Sequence, residues 1–225
     1  MSDIAITVVG GTSKRLLTAG KYCESDIIVT ATGGIGSPDL PVGYAHVPCI
    51  RFTGKQIVDT GIVCTEKTKI RIVFTRESIG AQYMYGVVSS DATASVTAYL
   101  SSSGTWRFGA KSVSRTISAN AELVHVAIVD DTGLQSATSK NAWSGVAAFE
   151  TIGTLLIGTA RQESGNAGAA QYEGKILSFE MWDGDAQVLK FLPVINAEGV
   201  YGFFDTIGGA FYPSITDVPL EGGDI

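Results

Sequence analysis

The run Lys69-Ile70-Arg71-Ile72-Val73-Phe74-Thr75 alternates polar and apolar residues with a period close to two. Successive side chains of a strand point to opposite faces, whereas a helix repeats every 3.6 residues. This run therefore reads as a half-buried strand, with Ile70, Ile72 and Phe74 on one face and Lys69, Arg71 and Thr75 on the other. Val124, Val126 and Ile128 alternate with His125 and Ala127 in the same way. Leu177, Phe179 and Met181 alternate with Ser178, Glu180 and Trp182. Turn signals separate the runs. Asp183-Gly184 stands between Trp182 and Val188-Leu189-Lys190-Phe191-Leu192, and Gly in such a turn accepts a positive φ without steric cost. Further turns fall at Ser103-Gly104, Asp131-Thr132-Gly133 and Gly208-Gly209. Helical periodicity is weak; one short turn of helix between Asn141 and Phe149 is the most it supports. Many short strands at regular spacing predict an all-β, two-sheet antiparallel sandwich.

One boundary is visible. Gly33-Gly34-Ile35-Gly36-Ser37-Pro38-Asp39-Leu40-Pro41 concentrates residues that end strands. It predicts an N-terminal segment over 1–33, a linker over 34–43 and a β-sandwich over 44–225. The N-terminal segment holds two β-rich runs, Ile4 to Val9 and Asp26 to Thr30. Some thirty residues cannot bury a sizeable core, so the segment is expected to dock or oligomerise. The body is long enough to need no disulfide or metal staple.

The chain of 225 residues carries 22 acidic and 16 basic side chains, a formal net charge of -6. Nucleic-acid binders displace counterions with a basic surplus, and none exists here. The one close basic pair, Lys14-Arg15, reads as a solvated turn. No stretch approaches the apolar length of a spanning helix, and Met1-Ser2-Asp3-Ile4 does not begin a signal peptide. Three cysteines, Cys23, Cys49 and Cys64, are scattered without a CxxC pair. They read as reduced, mostly buried thiols made in a cytoplasm.

Both ends of the body resemble a known family. Arg51-Phe52-Thr53-Gly54-Lys55-Gln56-Ile57-Val58-Asp59-Thr60-Gly61-Ile62 resembles the opening TGxQYIDTG strand pair of concanavalin-A-like (laminin-G-like) domains in phage and prophage proteins. Gly174 to Asp183 is similar to their GKIYSFKIYD strand, and Phe191-Leu192-Pro193-Val194 to their DFVP step. Asn196 to Asp205 with Ala210-Phe211-Tyr212 is similar to their closing GxYGLYDxxxGKFY hairpin. Leu17 to Thr30 resembles a TAGKYCxxDIxVT element of phage virion proteins. Val58 and Val194 depart from the pattern, in core-compatible ways. The stretch from Gln82 to Ala170 matches only in pattern. The resemblance implies a jelly roll in a tail-fibre, receptor-binding or head-decoration subunit. Its implied partners are other virion proteins, reached through the N-terminal segment, and host or mucosal glycans. It also implies a homo-oligomer made in the host cytoplasm and carried in the virion.

The closing element has a physical reading of its own. Tyr201, Phe203 and Phe204 with Phe211 and Tyr212 are expected to form a cross-strand aromatic cluster around the turn from Asp205 to Gly209. Such pairs contribute about 0.2–1 kcal/mol each. Core closure accounts for the cluster better than a sugar platform does.

Catalytic chemistry finds no support in the sequence. A retaining glycosidase needs two carboxyls about 5–5.5 Å apart. The nearest candidates, Glu180 and Asp183, are three apart and so on opposite faces of a strand. His46 and His125 have no metal-ligand spacing around them. Asp130-Asp131-Thr132 and Asp183-Gly184-Asp185 offer oxygen ligands of the kind calcium takes, but ordinary acidic turns explain them, so no cofactor is expected. Binding without catalysis is the favoured expectation. Trp106 and Trp143 lie in or near expected loops among Ser, Gly and Asn, where rings can stack on sugars, and Arg107 follows Trp106. These three residues are the predicted ligand-binding set. The alternatives are a purely architectural virion subunit without a ligand, in which both tryptophans cap the core, and a polysaccharide depolymerase.

Overall fold

The computed structural model describes residues 40–78, 80–88, 95–101, 105–110, 113–118, 124–136, 140–142, 148–162 and 171–224. The chain divides into two compact units, Met1–Leu40 and Pro41–Ile225. The predicted N-terminal docking segment lies outside the described residues, as do Cys23 and Trp143.

The described strands are β1 (Tyr44–His46), β2 (Cys49–Thr53), β3 (Val58–Thr65), β4 (Thr68–Arg76), β5 (Gln82–Val88) and β6 (Val96–Leu100). They continue as β7 (Thr105–Ala110), β8 (Val113–Ser118), β9 (His125–Asp130), β10 (Gly133–Ser136), β11 (Lys140–Ala142) and β12 (Glu150–Ile157). The last six are β13 (Arg161–Gln162), β14 (Glu173–Asp183), β15 (Ala186–Asn196), β16 (Tyr201–Asp205), β17 (Phe211–Tyr212) and β18 (Glu221–Gly223). They form two sheets, the expected all-β sandwich. The first runs β11-β10-β9-β4-β14-β15-β16-β17, with β1 on β15 and with β2 joining β14 to β18. The second runs β3-β12-β5-β6-β7-β8. Pairing is antiparallel except for the short β13, which lies parallel to β5. No helix occurs among the described residues, and β11 occupies the start of the stretch where a turn of helix was expected.

Strand β4 follows its sequence pattern residue by residue. Ile70, Ile72 and Phe74 are buried while Lys69, Arg71 and Thr75 are half-exposed. Strand β9 inverts the expected pattern: Ala127 and Val129 are buried, and Val124 before it is 45% exposed. The register explains this, because β9 pairs Ala127 with Ile72 and Val129 with Ile70 on the core face. Leu177 is a second correction. A bulge between Ile176 and Ser178 puts Ile176 beside Phe74 and Ser178 beside Val73. One extra residue shifts the alternation by one, so Ile176, Phe179 and Met181 are buried and Leu177 is only half-buried.

The core forms where the two inner faces meet. Tyr85 of the second sheet meets Phe179 of the first edge-on at 5.7 Å, and Phe74 meets Phe108 at 6.3 Å. Phe191 stacks on Phe203 at 5.2 Å, and Tyr212 closes on Phe191 at 4.8 Å. Fully burying a side chain of this size stabilises the fold by about 1.5–3 kcal/mol. The expected aromatic hairpin forms, with Phe203 opposite Tyr212 and Phe204 opposite Phe211. Gly202 is required there, because a Cβ would stand 2.6 Å from the Phe211 ring. Val58 and Val194, where the chain departs from the family pattern, are both fully buried.

Candidate binding face

The residues that carry the family resemblance turn out to hold the fold together. Gln56 is buried. Its Oε1 accepts the Thr53 N–H at 2.8 Å, and its Nε2 donates to the Pro219 carbonyl at 3.0 Å. The Thr60 hydroxyl donates to the Leu155 carbonyl at 2.9 Å, tying β3 to β12. Asp59 receives the Gly61 N–H at 3.0 Å and the Arg161 guanidinium at 2.5 Å. Each of these groups is engaged in bonds that join segments of the fold.

The predicted acidic candidates are likewise engaged or dispersed. Glu180 pairs with Arg71 at 3.0 Å and accepts from Gln187 at 3.3 Å. Asp183 stands exposed at the end of β14, opposite Ala186, in the two-residue hairpin that the sequence signalled. The Asp130 carboxylate closes its own turn, accepting the Thr132 N–H at 2.8 Å and the Gly133 N–H at 3.1 Å. Among the described residues no three His, Cys, Asp or Glu side chains gather as a metal site.

A different feature emerges on the second sheet. Val96, Ala98 and Leu100 of β6 are buried, so Thr97 and Tyr99 between them face outward. A register shift in β5 between Tyr83 and Tyr85 makes room for Met84. Without it, Tyr83 and Tyr85 would share a face; with it, Tyr85 enters the core and Tyr83 stays on the outer face, opposite Tyr99. Bulges re-aim side chains in this way. The two rings lie 4.8 Å apart, tilted by 49°. Burial, and secondarily the neighbouring Tyr99, pushes the Tyr83 phenol up from its ordinary value, so its hydroxyl stays protonated at neutral pH.

One side of this face has a wall. After β12 the chain crosses over Gly86, where a Cβ would stand 2.9 Å from that of Ala160 and 3.2 Å from Thr97 Cγ2. Arg161 then locks the crossover down. Its Nε donates to the Thr154 carbonyl at 3.0 Å and its Nη2 to the Thr154 hydroxyl at 3.0 Å, besides the contact with Asp59.

No family model and no curated protein matches this chain. Among solved structures it is similar to the native heptameric SAP-like pentraxin from Limulus polyphemus, with a TM-score of 0.38 and 14% identity. That match covers 61% of this chain and 70% of the other.

The predicted ligand residues fall as follows. Trp106 and Arg107 lie inside β7, where a loop was expected. Trp106 occupies the register position opposite Leu100, and Arg107 the position opposite Tyr99. The register therefore brings Arg107 into one row with Tyr99 and Tyr83. Trp143 lies outside the described residues. Sequence reasoning missed Tyr83 and Tyr99. The alternation Val96-Thr97-Ala98-Tyr99-Leu100 was a legible signal for Tyr99, whereas Tyr83 depended on the bulge. The remaining tryptophan, Trp182, is half-buried on the first sheet, with the Lys69 ammonium 5.0 Å from its ring centroid.

Proposed function

We propose that the body is a non-catalytic, carbohydrate-binding display module of a bacteriophage virion protein, in a tail fibre, receptor-binding or head-decoration subunit. The observation that carries the binding part is the Tyr83–Tyr99 ring pair on the outer face of the second sheet, with rings 4.8 Å apart. Tyrosines join an apolar ring to a polar hydroxyl, which is the pairing a pyranose needs. The virion part rests on the sequence elements that resemble phage proteins, from Leu17 to Thr30 and at both ends of the body. Fold alone does not fix function.

The test is a glycan array probed with the intact chain, followed by titration of Tyr99→Ala against any hit. Binding that weakens in the variant supports the reading; no binding to any glycan removes it. Immunolabelling of an intact particle tests the virion part, and particles that never carry the chain would refute it.

A purely architectural subunit is the second reading. It is favoured by the structural employment of Gln56, Asp59 and Thr60, which makes the resemblance a matter of folding and not of ligand. Mass measurement in solution separates the two, because a stable monomer that binds sugar contradicts the architectural reading.

A further inference from the structure

We infer that the ligand of the Tyr83–Tyr99 face is an acidic glycan, one whose sugars carry carboxylates; this rests on the carbohydrate-binding reading above. The chain as a whole has more acidic than basic residues, 22 against 16. Between Ala92 and Ala121 the balance reverses. That stretch contains no Asp or Glu, and it contains Arg107, Lys111 and Arg115. It is also the stretch that supplies β6, β7 and β8, the strands at one edge of the second sheet. The strands that this stretch supplies thus follow β5, which carries Tyr83, in the sheet order β5-β6-β7-β8.

The register makes the juxtaposition specific. Tyr83 is opposite Tyr99, Tyr99 is opposite Arg107, and Arg107 is opposite Thr116. Arg115 is opposite the buried Phe108, so its register position belongs to the other face of the sheet and takes no part in this row. Neighbouring strands are about 4.8 Å apart, so an aromatic pair and an arginine position follow one another along a single row. A tyrosine ring stacks on the C–H face of a sugar. A guanidinium pairs with a carboxylate in a two-pronged geometry that a neutral hydroxymethyl group cannot reproduce. A neutral glycan would use the tyrosines and leave Arg107 without a role in binding.

The test compares two probes on the intact chain by calorimetry: an oligogalacturonate, and a galactose oligomer of equal length that lacks only the carboxylates. The expected result is at least about tenfold tighter binding of the charged oligomer, narrowing as salt screens it. Arg107→Gln should remove most of that preference, and Arg107→Lys should keep part of it. The wild-type preference and its salt dependence stand as a test even if the variants fail to fold. Equal affinity for the two probes, or preference for the neutral one, overturns the inference and leaves carbohydrate binding intact. Failure of every glycan on the array overturns both. Tighter binding of a single-stranded oligonucleotide than of oligogalacturonate also overturns the inference, because phosphate and not carboxylate would then be the recognised group.

Discussion

Asp205 Oδ1 accepts the backbone N–H of Lys190 at 3.0 Å, joining two neighbouring strands through a carboxylate that is only 2% exposed. The same oxygen accepts the Ile207 N–H at 3.0 Å, and Oδ2 accepts the Gly208 N–H at 2.8 Å. One buried charge is thereby met by three backbone donors, and it fixes the turn that presents Phe211 and Tyr212 to the core. Hydrogen bonds to a charged group contribute about 1.5–3 kcal/mol each, and not additively. Asp205→Ala should therefore cost about 3 kcal/mol, or a Tm about 6–12 °C lower. Asp205→Asn keeps Oδ1 but can turn an amide N–H toward the Gly208 N–H, so its loss should be about half as large. Thermal melts of the three proteins check the order. Equal melting temperatures would show that the turn holds without the carboxylate.

Gln56 makes a prediction with a pH signature. Gln56→Glu keeps an oxygen for the Thr53 N–H but loses the Nε2 donor that meets the Pro219 carbonyl at 3.0 Å. At neutral pH the introduced carboxylate is buried and faces a carbonyl oxygen, at a cost of about 2–3 kcal/mol. Both influences raise the folded-state pKa of the introduced group above its ordinary value of about 4.3. Such a group destabilises the fold increasingly as pH rises through its unfolded pKa. The gap between wild type and variant should therefore be small near pH 4, where the acid can donate to Pro219, and wide at pH 7. Urea titrations at the two pH values read the gap, and a gap that does not change with pH contradicts the assigned donor.

These two residues show what was legible in the sequence and what was not. Both sit in elements that resemble a family, yet the role of Gln56 depends on Pro219 at the far end of the chain and that of Asp205 on Lys190 in the neighbouring strand. Strand β4 was legible because Lys69, Arg71 and Thr75 mark its outer face unambiguously. Strand β9 was not, because Val126, Ala127, Ile128 and Val129 are apolar on both faces and only the pairing with Ile70 and Ile72 selects one. Leu177 was lost to a bulge, which shifts alternation without leaving a composition signal. The candidate face suffered in the same way. Tyr83 and Tyr85 are two apart and look equivalent, and only the register shift between them separates an outer ring from a core ring. Trp106 and Arg107 read as residues in or near a loop because the serines before them hide the start of β7.

The cysteines give a prediction about reactivity. Cys49 and Cys64 are buried and free. Burial pushes the Cys64 thiol up to about 12, against only a partial lowering by the Thr68 hydroxyl. Cys49 is also raised, mainly by burial, with Lys175 opposing. Only the thiolate attacks alkylating reagents, so neither residue should be labelled in the native protein at pH 8, and both should be labelled in denaturant. The linked stability effect has a definite sign. A thiol whose folded pKa is raised contributes fully below its unfolded pKa of about 8.5–9, and the contribution is lost as pH rises toward 12. Peptide mapping after iodoacetamide reads the first effect, and native labelling of Cys64 would contradict its burial. Urea titrations between pH 8 and pH 10.5 read the second, with lower stability expected at the higher pH.

Two tyrosines should respond oppositely to the same substitution. Tyr85 is fully buried, and among the described residues its hydroxyl meets no hydrogen-bond partner. Burial pushes its phenol far up, with Cys64 adding to the effect. Its ring packs edge-on against Phe179 at 5.7 Å and tilted on Phe108 at 6.4 Å, and a phenylalanine would keep both contacts. An unmet buried hydroxyl costs about 1–3 kcal/mol, so Tyr85→Phe should stabilise the protein by about 1–2 kcal/mol. Tyr172 is equally buried, but its hydroxyl donates to the Thr75 carbonyl and has the Lys175 carbonyl at 3.2 Å. Tyr172→Phe strips those acceptors of their partner and should destabilise by about 1–2 kcal/mol. Calorimetric melts of the pair test the sign as well as the size. A destabilised Tyr85→Phe would mean that the hydroxyl has an internal partner, and a trapped water between the sheets would then be the first place to look.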